Sequence, residues 1–98
     1  MILHLIQTSA SQDNALSTCL CLIQPSDSIL LMGDAVNCLL MPTWQAQLKG
    51  MALFALEDDV TARGLSSLMP TENLPQLQLL NYDEFVAQTL SHQKVITW

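Results

Sequence analysis

A chain of 98 residues with three cations against nine acids carries a net charge of −6 and a pI near 4.3. Three scattered cations, Lys49, Arg63 and Lys94, cannot neutralise a run of phosphates, which excludes a nucleic-acid backbone or an anionic membrane as a direct partner. Half of the residues are hydrophobic and 12% are charged, against roughly 25% charged in ordinary domains, and so small a chain cannot hide that apolar excess in its own core. It reads as a single domain over residues 1–98 and as a subunit that meets other proteins. "MILHLIQTS" lacks the basic start and apolar length of an export signal, and no stretch is long enough to span a membrane. The expected compartment is therefore the cytosol, where Cys19, Cys21 and Cys38 stay reduced.

The elements alternate along the chain. Ile2–Ile6 is a short apolar strand, followed by a helix that Asp13 or Asn14 can cap and that runs to about Ile23 before Pro25. Ser28–Met32 is a second strand, apolar without alternation, as in a sheet covered on both faces. Gly33 and Asp34 turn the chain into a short second helix bounded by Pro42, and "TWQAQLKG" is irregular or one more helical turn. Met51–Leu56 is a third apolar strand. "EDDVTARG" is a third helix whose acids suit its positive end and whose Gly64 suits its close. A loop with two prolines leads to "LQLL", a fourth strand. Asn81 and Glu84 form a capping box for "YDEFVAQTLSH", and "KVITW" is a last strand or tail. Strands alternating with helices imply parallel pairing, hence an α/β three-layer sandwich with a mostly parallel sheet of four to five strands.

The chemistry-bearing residues are few. Cys19 and Cys21 sit two apart on one helix and so point roughly 200° apart. They cannot easily bridge each other or share a metal ion. Leu16, Cys19, Leu20 and Ile23 form the sheet-facing stripe, which makes Cys19 a buried small residue on pattern alone; Cys21 lies off that stripe and could contact a partner or solvent, though it and Cys38 read as structural residues too. A persulfide carrier would need partial exposure and a positive field, and no cation lies near Cys19 in sequence. Glu57, Asp58 and Asp59 stand at the carboxyl end of the third strand, where open α/β sheets place ligand sites; acids there also simply complement the helix dipole. Asp34 is a second carboxyl-edge acid with no obvious partner. His4 reads as a satisfied histidine of the core or sheet edge, and His92 as a partner of the last helical carbonyls. Trp98 is expected to anchor in a neighbour's pocket. No phosphate-binding loop, dinucleotide fingerprint, nucleophile elbow or zinc spacing is present, so neither a cofactor nor a metal is expected. A small-ligand module near Asp34 and Glu57 finds no phosphate cradle in these loops.

Four segments together, "LHLIQTS", "NALSTCL", "LLMGDAV" and "ALEDDVTARGL" with "NYDEFV" and a closing Trp98, resemble the TusB/DsrH family, the smallest subunit type of the TusBCD and DsrEFH sulfur-relay complexes. The resemblance implies a DsrE-like fold and a heteromer with TusC/TusD-like, or DsrF/DsrE-like, subunits. It also implies service in a relay from a TusA-like donor to a TusE-like acceptor, ending in 2-thiouridine at the tRNA wobble position, with no direct RNA contact by this chain. The Dsr branch serves oxidative sulfur metabolism instead. Aligned on "ARG", the reactive cysteine of TusD/DsrE-type subunits falls near Leu56, where this chain has no thiol, so the role implied is assembly and docking. Cys19 matches a cysteine of DsrH-type members, which makes it the one candidate catalytic, persulfide-bearing thiol. A chain made alone could form a homo-oligomer.

Overall fold

In the computed structural model, which describes residues 1–98, five strands form one sheet in the order β4-β3-β2-β1-β5, and every neighbouring pair is parallel. The strands are β1 (Ile2–Ile6), β2 (Ser28–Leu31), β3 (Ala52–Leu56), β4 (Gln78–Leu80) and β5 (Lys94–Thr97). The helices are α1 (Ala15–Leu22), α2 (Pro42–Leu48), α3 (Glu57–Ala62) and α4 (Tyr82–Ser91), with 3₁₀ turns over Gly33–Leu40 and Ser66–Leu68. The expected elements are all present, with strand ends within one or two residues of those read from the sequence, and the closing segment is a true fifth strand.

Chirality explains the layering. From β1 to β4 each crossover steps in the same direction, so right-handed connections place α1, α2 and α3 on one face. The return from β4 to β5 crosses the whole sheet in the opposite direction and must place α4 on the other face. The two cores follow this division. The larger one joins Ile6, Ile29, Leu31, Leu53 and Ala55 of the sheet to Leu16 and Cys19 of α1, Leu48 of α2 and Val60 of α3. The smaller one consists of Leu3, Leu5, Leu30, Phe54 and Leu80, with Phe85 of α4 packed on it. Alternate residues of each strand serve alternate cores, which is why the strands are apolar throughout rather than every second residue.

Local structure differs from expectation in three places. The segment after Gly33 is a 3₁₀ helix rather than an α-helix. Its buried residues, Ala35, Val36, Cys38 and Leu39, recur every three positions, so a three-residue turn keeps both pairs against the sheet. Pro42 follows the close of that segment, as expected, but it also opens a full helix in place of an irregular stretch: it occupies the first turn of α2, where its missing N–H costs nothing. Neither Asp13 nor Asn14 caps α1 through its side chain; the Asp13 carboxylate accepts from the Thr8 hydroxyl instead. The capping box at Asn81 and Glu84 is formed in both directions, at 2.8 and 3.0 Å. No helix is long and apolar enough to cross a membrane.

Candidate functional site

At the carboxyl edge of the sheet, two residues past the end of β2, stands Gly33, whose φ of 56° lies in the left-handed region. A Cβ there would come within 3.0 Å of the Gln7 carbonyl oxygen, so the tight approach of β1 and β2 at this edge requires glycine. The freed Gly33 N–H donates to Asp59 Oδ2 at 2.8 Å. Arg63, one turn further along α3, donates to the Asp59 carbonyl at 3.2 Å and to Asp34 Oδ1 at 2.9 Å. Asp34 thus has a partner, contrary to the sequence reading, and the two edge acids are occupied in tying the 3₁₀ segment to α3. Glu57 and Asp58 are exposed in the first turn of α3, where they complement the dipole. No three His, Cys, Asp or Glu side chains are grouped so as to hold a metal ion. Leu56, near which the family resemblance would set the reactive cysteine of TusD/DsrE-type subunits, is the half-buried residue that leads into α3.

The two thiols of α1 face opposite ways, as their 200° separation demands. Cys19 has no exposed surface and lies in the larger core, with Leu20 and Ile23 packed at its margin. Burial pushes its thiol from 9.0 to about 11, and the nearby Asp27 carboxylate adds to the shift. Cys38, buried under the 3₁₀ segment, is pushed up by burial to about 12. Cys21 is exposed. At neutral pH the two buried sulfurs are protonated, and a neutral thiol is a poor nucleophile.

Beside Cys19 runs a polar chain through the interior. Asp27, 5% exposed, immediately precedes β2 and accepts from the Ile2 N–H at 2.9 Å, the Gln24 N–H at 3.1 Å and His4 Nε2 at 3.1 Å. On the other side of the ring, the Trp98 indole N–H donates to His4 Nδ1 at 3.0 Å. An indole nitrogen can only donate, so Nδ1 accepts and the His4 proton sits on Nε2, facing Asp27. Desolvation raises the Asp27 carboxyl, but the hydrogen bonds from His4, Gln24 and Ile2 outweigh it and hold the group below the usual range. His4 is accordingly a satisfied core histidine. Trp98 differs from expectation: it is half-buried against the chain's own larger core, stacked on His4 at 6.0 Å, with its backbone N–H donating to the Leu5 carbonyl. An indole N–H available to the ring of a buried histidine is better satisfied at home than in a neighbour's pocket.

Asp27 escaped the sequence reading. Its side chain meets His4 across 23 residues, and only the parallel register of β1 on β2, which sets His4 beside Ile29, brings the two together. A weak signal exists: an acid between two serines at the mouth of an apolar strand. His92 behaves as expected, its Nδ1–H donating to the Gln88 carbonyl at 2.7 Å, and its Nε2 also meets Ser28 Oγ at 3.0 Å.

Comparison with known proteins places these features in a family. Residues 8–95 match the DsrH-like protein family. Protein TusB of Yersinia enterocolitica is 36% identical over 86 residues, covering 85% of this chain and 86% of the relative. Protein TusB of Yersinia pestis is 38% identical over the same shares of both chains. Among solved structures, the ychN protein of E. coli superimposes with a TM-score of 0.80 at 20% identity, covering 99% of this chain and 97% of that one. A conserved protein of unknown function from Bacteroides thetaiotaomicron gives 0.70 at 16% identity, covering 99% and 94%. These two likenesses are of fold alone. With a family match across nearly its whole length and relatives above one-third identity, this chain belongs to the TusB/DsrH family.

Proposed function

We propose that this chain is a subunit of a cytoplasmic sulfur-relay complex that supports 2-thiolation of the tRNA wobble uridine, and that it contributes assembly and docking rather than a sulfur-carrying thiol. Membership of the TusB/DsrH family supports the relay role. The observation that carries the division of labour is the state of the thiols. The family resemblance sets the reactive position of TusD/DsrE-type subunits near Leu56, where this chain has no thiol, and Cys19 is fully buried with its thiol pushed up to about 11. A persulfide carrier must present a thiolate to the donor's outer sulfur, and Cys19 meets neither condition. In this reading TusC- and TusD-like subunits complete the heteromer, and a TusA-like donor and TusE-like acceptor meet the assembled complex. The acidic surface keeps this subunit away from the RNA itself.

The rival is a DsrH-like subunit of oxidative sulfur metabolism in which Cys19 attacks the outer sulfur of a donor persulfide. That step would leave Cys19 as the persulfide and the donor as a thiolate. One experiment separates the two: the 2-thiouridine content of bulk tRNA in cells lacking this chain, complemented with wild type or with Cys19→Ser. We expect thiolation to fall on deletion and both versions to restore it. Restoration by wild type alone, with the variant still assembling, would make Cys19 a sulfur carrier. Unchanged thiolation on deletion would reject the tRNA role.

A further inference from the structure

Helix α4 is attached to the sheet by one face and leaves a second apolar stripe without a partner. Its half-buried residues, Phe85, Gln88 and Thr89, together with the buried His92 that follows it, recur at helical spacing and face the small core. None of its ten residues is fully buried. Tyr82, Val86 and Leu90 are 65%, 37% and 81% exposed. Four residues apart, each lies only about 40° around the helix from the last, so the three form a continuous strip. Val95 is a further exposed apolar residue on the same side of the sheet. It pairs in register with Leu3, which belongs to the small core, and is itself 36% exposed. Single exposed hydrophobics are ordinary; an aligned strip is not.

The charge around the strip is one-sided. Lys49 and Arg63 follow α2 and α3, which lie on the far face of the sheet. Lys94 pairs with Ile2, one residue out of phase with Leu3, so it points to that far face as well. The α4 face carries Asp83 and Glu84 and no lysine or arginine; the one cation near it is the N-terminal ammonium, which bonds to Gln93 Oε1 just past the helix. A second copy of this chain would set acid against acid there, whereas a basic rim would complement it.

We propose that the Tyr82–Val86–Leu90 strip is the docking surface through which this subunit joins its complex, and that it seats in an apolar groove rimmed by Lys or Arg on a partner subunit. The inference rests on the heteromer reading above and adds where the contact lies and what chemistry meets it. Aromatic and large aliphatic residues near the centre of such a contact dominate its affinity.

The test co-expresses the full chain with the TusC- and TusD-like subunits of its own organism and weighs the purified assembly by light scattering. Leu90→Lys, whose charge suits the negative end of α4 and would repel a basic rim, should retain wild-type circular dichroism and unfolding midpoint, and Tyr82→Ser, which gives up only an edge contact with Phe85, should stay folded; both should weaken assembly by about tenfold or more. Leu22→Asp, equally exposed on α1 across the sheet, should assemble as wild type does. A photo-crosslinker at position 90 should capture a TusC- or TusD-like subunit in a salt-sensitive manner, and one at position 22 should not. A wild-type heteromer that tolerates both α4 variants and crosslinks through position 22 would overturn the inference while leaving the relay reading intact. Failure of the wild-type chain to form any heteromer would overturn both.

Discussion

Three donors converge on the two oxygens of Asp27, and all are held by the fold rather than by neighbours in sequence, apart from Gln24. A carboxylate so buried is tolerable because each lone pair it turns inward meets an N–H. Its depressed pKa sets the sign of a pH effect. The folded state binds the Asp27 proton less readily than the unfolded chain does. Its contribution to stability is therefore complete above the unfolded value of about 3.9 and is lost as pH falls through the folded value. Asp27→Asn replaces an acceptor pair with an amide that turns an N–H toward existing donors. It should lower stability at neutral pH by about 2–3 kcal/mol and flatten the acid limb of the stability profile, both read by urea unfolding across pH. A variant that matches wild type at pH 7 and below would show that the polar chain has no energetic role. The same neighbourhood makes Cys19 a poor ionising group, since burial and an adjacent carboxylate both oppose the thiolate.

At the scale of the elements, the ends of helices and strands carry the specific contacts and their middles carry the packing. Gly33 shows this most directly, because one residue closes the β1–β2 edge, accepts a positive φ and donates to Asp59. Gly33→Ala should destabilise by about 1–3 kcal/mol, as expected for a non-glycine residue forced into the left-handed region, with the clash on Gln7 added. Gly64 offers an internal comparison. Its φ is also positive, but a Cβ there meets nothing within 4 Å, so Gly64→Ala should cost less. Equal losses in thermal unfolding would mean that backbone strain alone, not the Gln7 contact, governs this edge. The 3₁₀ segment after Gly33 illustrates the limit of local reading. Its composition suits an α-helix, and only the distance to the sheet below decides that a three-residue repeat buries both Val36 and Leu39.

The whole molecule is asymmetric across its sheet. One face is covered by three α-helices and a 3₁₀ segment that bury a continuous core, the other by α4 alone, which buries none of its residues completely. Local opening should follow that asymmetry. In native-state hydrogen exchange, amides of β1, β2 and β3 should exchange only with global unfolding, while those of α4 and the three-residue edge strand β4 open at lower free energy. Joining the heteromer should raise α4 protection if the strip of Tyr82, Val86 and Leu90 is the contact. Uniform protection in the isolated chain would contradict the packing argument. Part of the apolar excess read from composition thus has a location: Tyr82, Val86, Leu90 and Val95 lie where the sheet has least cover.

Much of this was determined by the sequence alone. Continuous apolar runs of five residues, Pro and Gly punctuation and the Asn81–Glu84 box are local signals that mark the element order and the parallel sheet, and the family resemblance is carried by a handful of short segments. The stripe rule likewise turned Cys19 inward and Cys21 outward. The tertiary structure decided the rest. Trp98 meets His4 across 94 residues, His92 meets Ser28 across 64, and Arg63 meets Asp34 across 29. Such pairs have no periodicity to betray them, because strand register and crossover direction, not spacing along the chain, bring their polar atoms within reach. For the same reason composition could announce an exposed apolar surface but not place it: the reversal of the last crossover leaves α4 alone on its face.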